Sequence, residues 1–466
     1  MYFKSFTDEK LAQNAYLIGC QRTGESIIID APRNFDHILK IAEKEGLRIT
    51  AAADTHIHAD YVSGARQLAV EFGVKLYLSD EGDENWKYTF TDGIDVEFLK
   101  EGSTFTIGNI DFEVWHTPGH TPESISFLLT DRGGGATSPM GIFTGDFVFV
   151  GDVGRPDLLE KAAGIGGTTE SGARDMYQSI QRFKKLPDYL IVWPGHGAGS
   201  ACGKSLGAVP ITTVGYEKQF NWALQINDEE TFIAELLREQ PEAPVYFAEM
   251  KRLNKKGPAI LKDEKVRVLT TGEDLEKLAA EEGVVVLDTR TATIADKGLL
   301  KGSINIPFNK SFTNWAGWLV KYDEKIVVIA DRVEQDEVRK ALQSIGLDAI
   351  IAFADPSLLV GKELTTFETL SVPAFLEEMK ADDTFVIDVR NAGEWNNGHM
   401  NEAEHLFLGK LREADIPANK KLLVHCQSGA RSAIASSILK ARGFDTVKHM
   451  SGGYTAYENL QSKNKE

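Results

Sequence analysis

Two groups of residues in this 466-residue chain have the types and spacing that chemistry needs. The first is a set of histidine turns. Thr55-His-Ile-His-Ala-Asp-Tyr61 closes an apolar run, and its HxHxD spacing lets one turn present the imidazoles of His56 and His58 and the carboxylate of Asp60 to a single point. His116-Thr-Pro-Gly-His-Thr121 adds His120 from a Gly-Pro turn, Phe143-Thr-Gly-Asp146 adds the carboxylate of Asp146, and Trp193-Pro-Gly-His-Gly197 adds His196. The second group is Val424-His-Cys-Gln-Ser-Gly-Ala-Arg-Ser432, in which Cys426 ends a buried-strand run and a helix follows at once. Backbone N–H groups and a helix N-terminus around such a sulfur favour its charged, nucleophilic form, and Arg431 closes the loop.

These groups need a scaffold that places them on turns. Before residue 241, β-rich runs near 26–30, 110–116, 125–130, 141–144 and 189–193 alternate with helical stretches near 33–45 and 64–72. That pattern predicts an α/β layered domain, with each candidate residue just after a strand, where α/β folds place their sites. Gly133–Gly135 reads as a hairpin loop, and the glycines from Gly195 onward fit no phosphate-binding pattern, so no nucleotide site is expected. A stretch mixing Pro, Gly and Lys follows and reads as a linker. Beyond it lies a repeat of about 100 residues: Val284-Val-Val-Leu-Asp-Thr-Arg290 matches Phe385-Val-Ile-Asp-Val-Arg390, and Lys325-Ile-Val-Val-Ile matches Lys421-Leu-Leu-Val-His. The expected organisation is a domain over 1–245, a linker over 246–267, and α/β domains over 268–355 and 365–466.

Subtracting 69 acidic from 51 basic residues gives −18, a field that repels nucleic acid and anionic lipid and argues against both as partners. Three cysteines, none in a CxxC pair, exclude a disulfide framework. The N-terminus lacks a signal-peptide pattern and no run approaches 18 uninterrupted apolar residues, so a cytoplasmic, reducing setting is expected.

The ordered series THxHxD, TPGHT, TGD and PGH over residues 1 to about 240 resembles the metallo-β-lactamase superfamily, most closely its glyoxalase II and persulfide dioxygenase branches. The resemblance implies an αββα sandwich with a metal between its sheets. Two-metal hydrolases of the family read HxHxDH, whereas this chain has Tyr61 after Asp60, so a second-metal ligand is missing. The resemblance implies one Fe(II) per chain held by His56, His120 and Asp146, a ligand set that suits iron–oxygen chemistry, with His58, Asp60 and His196 around it. Zinc with His58 as an added ligand is the alternative. Arg155, in Gly151-Asp-Val-Gly-Arg-Pro-Asp157, is a candidate for binding a carboxylate or phosphate of the substrate, or else a salt-bridged structural arginine. Cys202, six residues after His196, is either a second sulfur relay or a passive thiol.

Cys-Gln-Ser-Gly-Ala-Arg431, with Asp388-Val-Arg390, Glu394-Trp395, Gly398-His399 and Ser451-Gly-Gly-Tyr454, resembles the rhodanese sulfurtransferases over about 365–466. Four residues separate Cys426 from Arg431, the shorter loop of sulfurtransferases rather than the longer one of phosphatases. The earlier copy reads Ile329-Ala-Asp-Arg-Val-Glu-Gln335 at that loop and has no thiol, so it resembles an inactive rhodanese. Together the domains resemble bacterial persulfide dioxygenase-sulfurtransferases of the CstB type. That resemblance implies oxidation of a low-molecular-weight thiol persulfide by O2 to sulfite, and transfer of sulfane sulfur to sulfite by Cys426, in a homo-oligomer. The alternatives are a zinc glyoxalase II-like thioester hydrolase with an accessory rhodanese module, and a non-enzymatic role for the rhodanese pair.

Overall fold

The computed structural model describes residues 1–163, 168–204, 206–262 and 265–463. The chain divides into two compact units, one of residues 1–262 with 343–346, the other holding the remainder.

The first unit is built on two six-stranded sheets. One runs in sequence order through Tyr2–Asp8, Gln13–Gly19, Glu25–Ile29, Arg48–Ala53, Lys75–Ser79 and Val96–Leu99. The other orders Thr212–Thr213, Ile191–Pro194, Gly141–Gly145, Ile125–Asp131, Ile110–His116 and Thr104–Ile107. Alternation along the strands makes the layers. Ile18, Ile27, Ile29, Ala51 and Ala53 of the first sheet meet Phe112, Val114, Phe127, Phe143 and Trp193 of the second in one shared core. Their neighbours Leu17, Ile28, Ala52 and Leu76 turn outward onto Ile38, Ala42 and Leu68 of helices Asp36–Lys44 and Ala65–Phe72. On the opposite side, Leu128, Ile142 and Val192 pack on Ala173, Met176 and Ile180 of helix Thr168–Phe183. The result is an αββα sandwich. Each fully buried Phe or Leu in it contributes about 1.5–3 kcal/mol of transfer free energy.

The stretch expected to be a linker is otherwise. Helix Phe247–Lys256 occupies it, and Phe247, Met250, Lys251 and Asn254 are buried. Their spacing of three and four residues puts them on one face of the helix, but two of the four are polar, Lys251 over the Trp86 ring and Asn254 donating to the His58 and Tyr61 carbonyls, so the sequence shows no apolar stripe there. Residues 263–264 of that stretch, and 464–466 at the end of the last expected domain, lie outside the described residues.

The second unit holds both copies of the repeat, each a five-stranded parallel sheet. The first sheet orders Arg267–Val268, Ile350–Ala354, Lys325–Ile329, Val284–Asp288 and Ile304–Asn305; the second orders Glu368–Leu370, Val447–Met450, Lys421–His425, Thr384–Asp388 and Ala403–His405. Numbered within each copy, the order is the same. Among the described residues no helix is long and apolar enough to cross a membrane.

Candidate functional site

Four strands of the first unit deliver the histidine turns. The Thr55–Asp60 turn follows Arg48–Ala53, the His120 loop follows Ile110–His116, Asp146 follows Gly141–Gly145, and His196 follows Ile191–Pro194. The Asp146 turn needs glycine: Gly145 has φ +50, and a Cβ there would strike the Thr55 side chain.

His56, His120 and Asp146 converge, with donor atoms within 4.8 Å of one another. Nε2 of His56 and of His120 stand 3.8 and 3.5 Å from Asp146 Oδ2. All three residues are buried, and among the described residues His56 Nε2 and Asp146 Oδ2 have no hydrogen-bond partner. Bare buried donors aimed together fit a metal cation, which would satisfy them at once. The surroundings fix the ligating nitrogen: His120 Nδ1 donates to the Arg155 carbonyl at 2.9 Å, leaving Nε2 as the free lone pair. Burial holds both imidazoles below their ordinary pKa, and so neutral. Burial pushes the Asp146 carboxyl up, but His196, His56 and His120 overcome it and keep the group ionised.

His58 belongs to a different cluster, with Asp30 and Asp54. Its Nε2 lies 3.0 Å from Asp30 Oδ1, and although burial opposes charge, Asp30, Asp54 and Asp60 raise its pKa to about 9. Tyr61 is buried against it, ring centroids 4.4 Å apart. Asp60, His196 and Cys202 form a third cluster, again with donor atoms within 4.8 Å. His196 stands between two carboxylates, Nδ1 2.7 Å from Asp146 Oδ1 and Nε2 2.6 Å from Asp60 Oδ2. These outweigh burial and raise its pKa well above the usual range. Burial, then Asp146 and Asp60, push the Cys202 thiol up. Arg155 is buried; Nε and Nη2 clasp Asp157 at 2.7 Å each, and Nη2 also donates to the Pro241 carbonyl. Only its Nη1 has no hydrogen-bond partner among the described residues.

Two positioning residues escaped sequence reasoning. Asp30 accepts the Thr55 N–H at 2.7 Å and the Thr55 hydroxyl at 3.0 Å while itself at φ +54. Its one signal was an acid closing an apolar strand. Glu123, three residues after His120 and fully buried, accepts the Ile57 N–H at 2.8 Å, tying the His120 loop to the turn that bears His56. Nothing in its local sequence marks that role.

In the second unit Cys426 follows strand Lys421–His425 and precedes helix Ala430–Ala441. Gly429, at φ +102, donates its N–H to Cys426 Sγ at 3.1 Å, and Ser432 Oγ lies 3.7 Å from the sulfur. Arg431 is clamped by Glu394 through two bonds of 2.6 Å. Arg390 clasps Asp388, reaches the Gly398 carbonyl at 2.7 Å, and holds Gln427 of the loop at 3.0 Å. The earlier copy repeats the clasp in Arg290, Asp288 and the Gly298 carbonyl, also at 2.7 Å, but Ala330 stands at the end of its matching strand where Cys426 stands in the other.

Residues 9–196 match the metallo-beta-lactamase superfamily, and residues 371–460 match the rhodanese-like domain. The chain is 45% identical to a metallo-beta-lactamase of known structure from Staphylococcus aureus subsp. aureus COL, covering 76% of this chain and 99% of that one at a TM-score of 0.69. It is 26% identical to ETHE1 from Myxococcus xanthus, over 54% of this chain and 100% of that one, at a TM-score of 0.42. To the hydroxyacylglutathione hydrolase GloC of Haemophilus influenzae it is 29% identical, over 42% of this chain and 84% of that protein. Of another, longer curated relative it spans only 54%.

Proposed function

Since the chain belongs to the metallo-beta-lactamase superfamily and carries a rhodanese-like domain C-terminal to that fold, we propose that it is a persulfide dioxygenase joined to a sulfurtransferase. The overall oxidation is RSSH + O2 + H2O → RSH + H2SO3, in which the terminal sulfur gives up the four electrons that O2 takes. The observation that carries the reading is the donor set: two neutral imidazoles and one carboxylate converge, while His58 is drawn to Asp30 and Tyr61 packs on it. That leaves three protein donors at the first cluster, the number that suits iron(II) with open positions.

Iron(II) bound by His56, His120 and Asp146 would supply the one-electron chemistry that O2 requires, next to the persulfide. The protein's own groups do the rest. The Arg155 carbonyl fixes the His120 ring, and His196, a cation between Asp60 and Asp146, orients the ligating carboxylate. Cys202 lies among these groups as the candidate sulfur relay, and Arg155 can meet substrate only through Nη1. In the second unit the Cys426 thiolate attacks the terminal sulfur of RS–SH; the carrier S–S bond breaks, RS⁻ leaves and takes a proton, and Cys426 keeps a persulfide. Sulfite then removes that sulfur as thiosulfate and regenerates the thiolate. The same reading carries a cytoplasmic setting and a homo-oligomer.

The likeness to a hydroxyacylglutathione hydrolase favours one competing reading, zinc-assisted thioester hydrolysis. Anaerobic loading followed by metal counting, then an oxygen-electrode assay with a thiol persulfide beside a thioester assay, separates the two. About one iron per chain and persulfide-dependent oxygen uptake are expected. Zinc with rapid thioester hydrolysis and no oxygen uptake overturns the reading.

A further inference from the structure

The cysteine-free copy keeps its fold and its Asp-Arg clasp yet has no nucleophile, and its loop carries the acids Asp331 and Glu334 instead. A cavity of about 700 Å³ lies in the second unit between that loop and the start of the helix behind Cys426. The earlier copy lines it with Arg290, Trp315, Asp331 and Glu334, and the active copy with Ala430 and Arg431. The volume is that of a small-molecule site. Ala430 and Arg431 open the helix after the cysteine loop, and Ala430 directly follows Gly429, whose N–H meets Cys426 Sγ at 3.1 Å, so this wall of the cavity stands beside the nucleophile's loop.

The charges of its walls do not cancel. Both guanidiniums are already neutralised, Arg290 by Asp288 and Arg431 by Glu394. Asp331 and Glu334 have no ion pair among the described residues. What remains lining the cavity is two carboxylates with no ion pair among the described residues and the Trp315 ring, and carboxylates and ring alike attract an ammonium group. An acidic exposed turn is ordinarily a solvated feature. Here it walls a cavity whose opposite wall is the start of the helix that follows the Cys426 loop.

Resting on the sulfurtransferase reading above, we propose that this cavity binds the ammonium-bearing part of an aminothiol persulfide, so that the earlier copy selects the sulfur donor for Cys426. The donor's terminal sulfur passes to Cys426 Sγ as its own S–S bond breaks, and the aminothiolate leaves and takes up a proton.

The test uses the full-length protein without oxygen, so that the iron chemistry plays no part, with cyanide as acceptor and thiocyanate as readout. The donors are 2-aminoethyl persulfide and 2-hydroxyethyl persulfide, which differ only in the charged group. The expected result is a kcat/KM about tenfold higher for the amine, the size two partly exposed charge pairs can give. The Asp331→Asn/Glu334→Gln double variant should erase that preference and leave the hydroxyl donor unaffected. A wild-type protein with no preference, or a preference that survives the double variant, overturns the proposal. If the wild-type protein moves no sulfur from either donor, the sulfurtransferase reading falls and takes the proposal with it.

Discussion

His58 Nε2 lies 3.0 Å from Asp30 Oδ1, both residues buried, so one of the two imidazoles in the HxH turn is committed to a carboxylate rather than to the cluster of His56, His120 and Asp146. Asp30 thereby does two tasks, since it also holds the Thr55 N–H and hydroxyl.

Asp30→Asn keeps a side chain that tolerates φ +54 but removes the charge facing His58. Metal affinity is expected to fall about 10- to 100-fold, the usual effect of losing a group that orients ligands. Competition with a graded chelator measures it, and an unchanged dissociation constant would refute this role for Asp30.

Glu123→Ala strands the buried Ile57 N–H, which costs about 1–3 kcal/mol. Both stability and metal affinity should drop together, whereas Glu123→Gln, whose amide oxygen can accept the same bond, should retain most of each. Thermal unfolding and metal titration on the two variants check this. Equal behaviour of Ala and Gln would remove the link between the loops.

Cys426→Ser replaces the nucleophile in one unit and leaves the histidine cluster in the other untouched. Oxygen uptake and bound iron should persist while the product changes from thiosulfate to sulfite. If oxygen uptake stops in a protein that keeps its iron and its fold, the persulfide must be loaded on Cys426 before oxidation.

His425 and His449 are buried in the second unit, and burial lowers the pKa of each to about 4 from 6.5. The unfolded chain then binds more protons than the folded one between those two values, so stability falls as pH drops from 6.5 toward 4. The loss is on the order of 3 kcal/mol for each ring. Urea unfolding across that window should show it, and His425→Phe should lower the acid-side slope. A slope that is the same in the variant would exclude His425 as its source.

The sequence disclosed the parts of this molecule whose signals are local. Strand ends followed by the Thr-His-Ile-His, Gly-His and Gly-Asp turns placed His56, His120, Asp146 and His196 on loops, and the fold set those loops at one end of the two sheets. The buried-strand run before Cys426 and the helix after it were equally plain. What stayed hidden depends on contacts between distant segments. Asp30 is 25 residues from the Thr55 it holds, and Glu123 is 66 from Ile57. Arg155 drew notice for its guanidinium, yet Asp157 takes that group, and its backbone carbonyl is what touches the metal-facing histidine. Helix Phe247–Lys256 gives no such local signal, because Lys251 and Asn254 share its buried face with Phe247 and Met250.

The duplicated clasp has a consequence for inference from motifs. Asp288, Arg290 and the Gly298 carbonyl are joined as Asp388, Arg390 and the Gly398 carbonyl are, down to the same 2.7 Å closing bond, in a half where Ala330 offers nothing to react. The molecule thus contains its own control experiment. A feature that persists when the nucleophile is missing reports on how the chain closes its loop after the strand, not on catalysis, and under the sulfurtransferase reading proposed above only what differs between the halves, the thiol, the Gly429 N–H beside it and the clamped Arg431, can be assigned a part in it.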